Sequence, residues 1–410
     1  MSTIDDEIEI AAVIDVDSHI LEPANLWVER LPQKMRDVAP RVVWDEDSSE
    51  ERWQIGDIRL GGAAHLGVAG WREPFPYFPA SIGEAPLAGY DATARLGWLD
   101  EQGIQAQVLY PNLLGFDAHV FLVLGADVAL ACVRAYNDFM TEWCSADPDR
   151  LIAIMALPFW DMDASVIELE RCHEAGHRGI LMAAHYEKAG FTNVSDPQWA
   201  PVLSRAQELG LSINFHVGFS KRPLEELRGR YQTQTRGYIE SMNEAELEKY
   251  VVNSVSTSSP GFLSNAQAIA DVICNGLCQR YPELNFVSVE SGFGYMPFLL
   301  QNLDWQWRNN GVSRVDPSFD LLPSEYFRRQ IYSTLWFERP NVDDLIDLQD
   351  NVMFETDFPH PTCLAPGPWT VSLTPRETIR NNMKGVPSEV VQKVLYANAA
   401  ALYRLPQLVP

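Results

Sequence analysis

Residues 13–19 read VIDVDSH, an apolar, β-branched run that ends in polar residues. Alternate side chains of an extended chain point the same way, so Asp17 and His19 share one face at the end of a strand. Short apolar runs of this kind, separated by segments with helical periodicity, are typical of parallel βα units. Outward from this stretch, the sequence shows eight such runs. They are residues 13–19, 105–111, 151–159, 179–185, 211–218, 285–292, 330–336 and 351–360.

Eight strands alternating with helices predict an α/β fold, the (β/α)8 TIM barrel, formed as a single domain by residues 1–410. Amphipathic segments such as ATARLGWLDEQG and WAPVLSRAQELG lie between the runs, and several close on glycine, as helices often do. A doubly wound open sheet is the alternative. The absence of a glycine-rich phosphate loop after the first run weakens that alternative.

Two long segments interrupt the βα rhythm. Residues 30–90, rich in Trp, Pro and Gly, follow the first strand, and residues 219–262 follow the fifth. Loops after the strands of a barrel form its C-terminal face, where active sites lie. Both insertions are therefore expected to roof the site.

Composition and charge restrict the partners. The chain is 46% apolar and 21% charged, which is ordinary for a globular protein, and its formal net charge is −25. This charge disfavours binding to nucleic acid or to anionic membranes. The six cysteines lack disulfide or zinc-knuckle spacing, and neither a signal peptide nor a membrane span is apparent, so a cytoplasmic protein is expected. The sequence leaves a monomer and a homodimer open.

Residues able to bind a metal lie at the ends of four runs. Asp17 and His19 end the first run, His216 the fifth, Glu290 the sixth and Asp357 the eighth. Each has an ordinary structural explanation alone, as a helix cap or a core hydrogen-bonding group. Strand ends of a barrel meet at one mouth, however, and burying such charges without a counter-ion is costly. The combination predicts a metal site at that mouth.

Two further histidines are candidates. His185 ends the fourth run and is a sixth ligand or a proton shuttle, with a hydrogen bond in the loop layer as the alternative. His360, in DFPHP, is expected to orient Asp357 or its loop rather than to contact the metal. The catalytic candidates are therefore Asp357, Glu290 and His185.

The segments VIDVDSH, NFHVG, VSVESGFGYMPF and MFETDFPHP resemble the metal-site motifs of the amidohydrolase superfamily, in its branch related to amino-carboxymuconate semialdehyde decarboxylase. The resemblance runs from about residue 12 to residue 405. Two positions depart from the family pattern. Asp17 stands where the family usually has His or Glu, and Glu290 stands where it usually has His. The fourth run, GILMAAH, also lacks the Lys that forms the carbamate bridge of binuclear zinc members.

The resulting donor set has two imidazoles and three carboxylates, which suits paired iron or manganese ions. The ESGFGYMPF segment is also similar to nonheme diiron monooxygenases of antibiotic (platensimycin) biosynthesis with an amidohydrolase-like barrel. The favoured prediction is thus a two-iron monooxygenase that uses O2 and an external electron donor to hydroxylate a large apolar, diterpenoid-like acyl coenzyme A. The alternative is one Zn or Mn ion and hydrolysis or decarboxylation of a small carboxylated substrate.

The two insertions contain candidate substrate-binding residues. Lys221, Arg222, Arg228 and Arg230 form a basic cluster in an acidic chain, suited to the phosphates of coenzyme A. Ion pairing with neighbouring glutamates on a solvated helix is an equal alternative. Trp71 is expected to line an apolar pocket, with simple packing in the roof as the alternative.

Overall fold

The computed structural model describes residues 10–113, 118–183, 185–217 and 234–405. Eight parallel strands form one sheet and three antiparallel strands form a second, smaller sheet. In chain order the strands are β1 (Ile14–Ile20), β2 (Arg41–Asp45), β3 (Glu50–Ile55), β4 (Ile58–Gly62), β5 (Ala106–Pro111), β6 (Leu151–Met155), β7 (Gly179–Met182), β8 (Ser212–His216), β9 (Phe286–Val289), β10 (Ile331–Leu335) and β11 (Val352–Phe354).

The parallel sheet runs in the order β1-β5-β6-β7-β8-β9-β10-β11, which confirms the eight predicted strands and the TIM barrel. Two backbone hydrogen bonds join its edges. The amide of His19 donates to the Phe358 carbonyl at 2.6 Å, and the amide of Asp357 donates to the Asp17 carbonyl at 2.8 Å. The seam between the first and last strands therefore lies directly at three predicted metal ligands, Asp17, His19 and Asp357.

Several strands are shorter than the sequence runs. The last run was taken as residues 351–360, but β11 ends at Phe354, and the run over residues 285–292 forms a strand only over Phe286–Val289. The chain leaves the ladder where the polar residues begin. Glu290 (φ 53°) and Asp357 (φ 58°) adopt left-handed backbone conformations, which are strained for residues with a Cβ atom. These turns aim both carboxylates across the mouth of the barrel.

Helices between the strands cover the outside of the barrel. Gly103 and Gly210 end two of them with positive φ, as the sequence predicted. The helices are α1 (Leu26–Arg30), α2 (Ala92–Gln102), α3 (Ala126–Cys144), α4 (Met162–Glu174), α5 (Ala200–Leu209), α6 (Arg236–Glu240), α7 (Glu244–Phe262), α8 (Asn265–Cys274), α9 (Leu277–Arg280), α10 (Met296–Asn310), α11 (Val312–Val315), α12 (Pro323–Gln330), α13 (Val342–Asp347), α14 (Pro375–Asn382), α15 (Ser388–Gln392) and α16 (Asn398–Leu402).

The C-terminal segment consists of α15, a π-helical turn over Lys393–Ala397, and α16. Its apolar side chains are buried against the barrel, which explains the apolar spacing in the sequence. Among the residues that the structure describes, no helix is both long and apolar enough to cross a membrane.

The insertion after β1 contains the antiparallel sheet β2-β3-β4, which the sequence interpretation missed. Beyond this sheet the insertion contacts the mouth of the barrel, because the amides of Val68 and Ala69 both donate to the Pro359 carbonyl, at 2.9 and 3.1 Å. The second insertion contacts the first: Arg236 of α6 pairs with Glu73 and donates to the Phe78 carbonyl. The described parts of both insertions thus meet on this face.

Candidate metal centre and active site

The five predicted ligands converge at one end of the barrel and are buried. Asp17 and His19 lie near the end of β1, and His216 is the last residue of β8. Asp17 Oδ1 lies 3.3 Å from both His19 Nε2 and His216 Nε2, and these two nitrogens are 3.1 Å apart. Three donor atoms therefore form a nearly equilateral triangle.

Two more carboxylates border this triangle. Asp357 Oδ1 lies 3.6 Å from His19 Nε2, and Glu290 Oε2 lies 3.5 Å from His216 Nδ1. Neighbouring ligands on one ion, with bonds of about 2.1 Å, lie roughly 3.0–3.4 Å apart in octahedral or tetrahedral geometry. The spacing of the Asp17, His19 and His216 donor atoms is thus that of a coordination sphere.

Backbone carbonyls determine which nitrogen of each imidazole faces the centre. His19 Nδ1 lies 3.3 Å from the Pro111 carbonyl, and His216 Nδ1 lies 2.7 Å from the Val217 carbonyl. A carbonyl only accepts hydrogen bonds, so each Nδ1 is the protonated nitrogen. In its neutral form each ring then directs its Nε2 lone pair toward Asp17, which is the usual arrangement for a metal-binding histidine.

Unsatisfied oxygens show that the site fits a cation. Within the described residues, neither carboxylate oxygen of Asp17 accepts a hydrogen bond, and the same is true of Asp357 Oδ1. Both side chains are fully buried. Buried carboxylates without hydrogen bonds are costly unless they are paired with positive charge. A divalent cation among these oxygens and the two Nε2 atoms satisfies all of them.

The electrostatics of the protein without metal reflect this crowding. Burial, together with the charge of Asp17, raises the pKa of Asp357 well above its usual value, and burial with Asp357 does the same to the pKa of Glu290. Burial also disfavours ionised Asp17, but His216 and His19 outweigh burial and lower its pKa. Burial, with His360 nearby, lowers the pKa of His19 to about 4. The His19 imidazole is therefore neutral at pH 7, as metal binding requires. Burial disfavours protonated His216, but the charge of Asp17 outweighs burial and raises the pKa of His216, so a bound cation takes the place of that proton.

A buried hydrogen-bond network that the sequence interpretation missed lies behind the ligands. Asp15 accepts from the amide and hydroxyl of Thr356 and from Gln107 Nε2. Arg95 connects this network to the site, since it donates to Gln107 Oε1 at 3.1 Å and to the His19 carbonyl at 2.6 Å. The network joins β1 to β5 and to the loop that carries Asp357. In the sequence, only Asp15, a charged residue inside the apolar run VIDVDSH, indicated that such a network exists.

Glu355 is a second buried acid that was missed. Its Oε2 accepts from the amide of Glu290 at 3.1 Å, and its Oε1 accepts no hydrogen bond from the described residues. Burial and the nearby charge of Asp17 raise the pKa of Glu355 well above its usual value. Glu355 thus supports the strained turn that positions Glu290.

The remaining candidates take other positions. His185 is buried and pairs with Glu187 at 3.1 Å, and it belongs to none of the metal-capable groups found among the described residues. Trp71 is partly buried in the first insertion and donates to the Tyr77 carbonyl. His360 stacks on His19 with ring centroids 3.7 Å apart. The basic cluster Lys221, Arg222, Arg228 and Arg230 lies outside the described residues.

The family model for amidohydrolases matches residues 14–405, nearly the whole chain. The chain belongs to this family. The family assignment confirms the resemblance seen in the sequence. This amidohydrolase is 23% identical over 281 residues to the gamma-resorcylate decarboxylase of Rhizobium radiobacter, an alignment that covers 65% of this chain and 76% of that protein.

Solved structures support the same fold. An amidohydrolase from Mycobacterium avium subsp. paratuberculosis superimposes with a TM-score of 0.69 at 20% identity, covering 96% of this chain and 97% of that one. A dihydroxybenzoic acid decarboxylase from Polaromonas sp. JS666, solved with bound manganese and 2-nitroresorcinol, has a TM-score of 0.56 at 17% identity, covering 97% and 98%. The chain is therefore an enzyme of the amidohydrolase fold. These relatives agree with the hydrolase or decarboxylase alternative, and they give no support to the two-iron monooxygenase.

Proposed function

We propose that this amidohydrolase is a decarboxylase of a small aromatic carboxylic acid that depends on one manganese or zinc ion. The observation that carries the proposal is the convergence of donor atoms in a chain whose relatives are gamma-resorcylate decarboxylases. The manganese-bound relative acts on a dihydroxybenzoic acid, by its name, which supports both the ion and the substrate class.

Four residues would hold the ion: Asp17, His19, His216 and Asp357. A bound divalent cation supplies positive charge that polarises and orients an anionic substrate. The donors are neutral imidazoles and carboxylates, a mixture that suits manganese and zinc alike. The buried surroundings exclude water, which strengthens each electrostatic contact to the substrate.

We assign proton transfer to Glu290. Its carboxyl group lies at the edge of the donor cluster, next to the His216 ring, and the left-handed turn after β9 aims it into the mouth of the barrel. The Glu290 carboxyl gives its proton to the ring carbon that bears the carboxylate. The bond between this ring carbon and the carboxylate carbon then breaks. CO2 leaves, and the electron pair of the broken bond stays with the ring. Solvent returns a proton to Glu290, so the sum is an aromatic carboxylate plus a proton giving the arene and CO2.

The test is CO2 release from a panel of hydroxylated benzoates, with 2,6-dihydroxybenzoate and 5-carboxyvanillate as first probes, under anaerobic conditions with added Mn(II). We expect one CO2 per arene formed, and no turnover by the His216→Ala variant. His173→Ala, which changes a histidine of α4 outside the donor cluster, is the matched control and should retain activity. Product that forms only with O2, or no CO2 from any benzoate, would refute the proposal.

A further inference from the structure

His360 belongs to the loop after β11, and its side chain lies inside the cluster of donor atoms. Its ring is buried, stacks on His19, and places Nδ1 2.8 Å from Asp357 Oδ1. His19, Asp357 and His360 together form a second group of donor atoms that all lie within 4.8 Å of one another. The position of His360 is therefore that of a ligand as well as that of a supporting residue.

A chain of hydrogen bonds places the proton of the His360 ring on Nε2. Asn112 Nδ2 donates to the Ile20 carbonyl, so Asn112 presents its Oδ1, an acceptor, to His360 Nε2 at 2.7 Å. Glu22 holds Asn112 in place, because its Oε1 accepts from the backbone amides of Asn112 and Leu113 at 2.9 and 2.8 Å. With Nε2 protonated, the neutral ring has its lone pair on Nδ1.

The short contact between His360 and Asp357 does not have hydrogen-bond geometry. Asp357 Oδ1 accepts none from the described residues, even though His360 Nδ1 lies only 2.8 Å away. The other oxygen, Oδ2, accepts from the Thr362 hydroxyl at 2.6 Å. Two lone pairs this close repel each other unless a proton or a metal cation lies between them, and a metal ion satisfies Nδ1 and Oδ1 together. Adjacent ligands of one ion have a similar spacing, about 3 Å.

We propose that His360 is a metal ligand through Nδ1, and that Asn112 and Glu22 act as positioning residues that select this tautomer. His19 and His216 offer Nε2 and are held by backbone carbonyls, whereas His360 offers Nδ1 and is held by a side-chain amide. The centre then has three imidazoles. The inference rests on the metal centre of the proposed function but not on its reaction.

The experiment is proton NMR of the protein loaded with Co(II), which shifts the N–H resonances of coordinated imidazoles far outside the normal range. We expect three shifted signals that exchange in D2O, from His19 Nδ1, His216 Nδ1 and His360 Nε2. The His360→Gln variant should show two, and its dissociation constant for Mn(II) should rise at least about 10-fold. Asn112→Leu keeps His360 but removes its acceptor, and should weaken Mn(II) binding by about 10-fold.

His177→Gln is the matched control. His177 follows α4 and is also buried, and its Nε2 shares a hydrogen bond with the Thr141 hydroxyl of α3. This variant should keep three shifted signals and the wild-type affinity. Two shifted signals in the wild type, or an unchanged count and affinity in His360→Gln, would overturn the ligand assignment while leaving decarboxylation intact. A wild type that binds neither Co(II) nor Mn(II) would instead refute the metal centre and the proposed function together.

Discussion

The stability of the protein should report metal binding directly, and Asp357→Asn is the sharpest perturbation. A ligand present at a thousand times its dissociation constant stabilises the folded state by about 4.1 kcal/mol. Unfolding entropy of about 2.1 cal/mol/K per residue gives about 0.9 kcal/mol/K for 410 residues. Saturating Mn(II) should therefore raise the melting temperature of the wild type by about 5 °C.

The Asp357→Asn variant should lose most of this shift. Loss of a ligand weakens affinity by at least about 100-fold, which leaves about 1.4 kcal/mol, or less than about 2 °C, at the same Mn(II) concentration. The metal-free melting temperature should change little. Burial and the charge of Asp17 raise the pKa of Asp357 and so disfavour its ionised form, which means that removing this charge costs the metal-free protein little, and Asn has nearly the same shape.

Differential scanning calorimetry with and without Mn(II) measures both quantities. Glu168→Gln is the control, since Glu168 is a buried acid that pairs with Arg171 far along the chain from the site. It should lower the baseline melting temperature and keep the full metal shift of about 5 °C. An Asp357→Asn protein with the wild-type metal shift would refute Asp357 as a ligand.

Three further results are expected. Glu290→Gln should retain Mn(II) affinity within about 3-fold in calorimetric titration but lower kcat at least about 100-fold, because the amide carries no transferable proton; a kcat within 3-fold of wild type would contradict this role. Burial lowers the pKa of His177 to about 4, so the unfolded state binds its proton first as the pH falls below about 6.5. His177 should therefore lower the free energy of unfolding by up to about 3 kcal/mol between pH 6.5 and pH 4. Urea unfolding should show a smaller loss over this pH range in His177→Gln than in the wild type. Identical pH profiles of stability for the two proteins would refute this prediction. Arg95→Met should lower the free energy of unfolding by at least about 3 kcal/mol, because it leaves Gln107 and the His19 carbonyl without their donor; a loss below about 1 kcal/mol would show that the network is dispensable.

Local sequence pattern was sufficient for the barrel and for the convergence of its candidate ligands. Each strand of a parallel barrel is an apolar run that ends in polar residues, and the fold brings all such ends together. Asp17 and His19 were recognisable from alternation alone, and His216 from its place at the end of an apolar run. The convergence of five ligand candidates therefore followed from topology and needed no knowledge of distances.

The supporting network could not be predicted in this way. Asp15 lies inside the first apolar run, where alternation says only which way it points. Its partner Gln107 is 92 residues away, and Thr356 is 341 residues away. The role of Asp15 depends on strand register between distant segments, which composition and periodicity do not encode. Asn112 and Glu22 were missed for the same reason.

The reaction could not be predicted from the types of donor residue alone. Three carboxylates and two imidazoles were interpreted as a two-iron oxygenase, yet the same donors suit one manganese or zinc ion. Metal identity and number depend on donor spacing and on metal supply as well as on residue type. The sheet β2-β3-β4 was missed because short strands joined by single tight turns, over residues 46–49 and 56–57, resemble an irregular loop in a segment rich in Trp, Pro and Gly.

The most direct test of the metal centre is elemental analysis of protein purified without added metal or chelator, with manganese, zinc and iron counted per chain. The account predicts about one manganese or zinc ion per wild-type chain, and a loss of most of it in the His216→Ala variant. Two irons per chain, or a fully active enzyme that contains no metal, would contradict it.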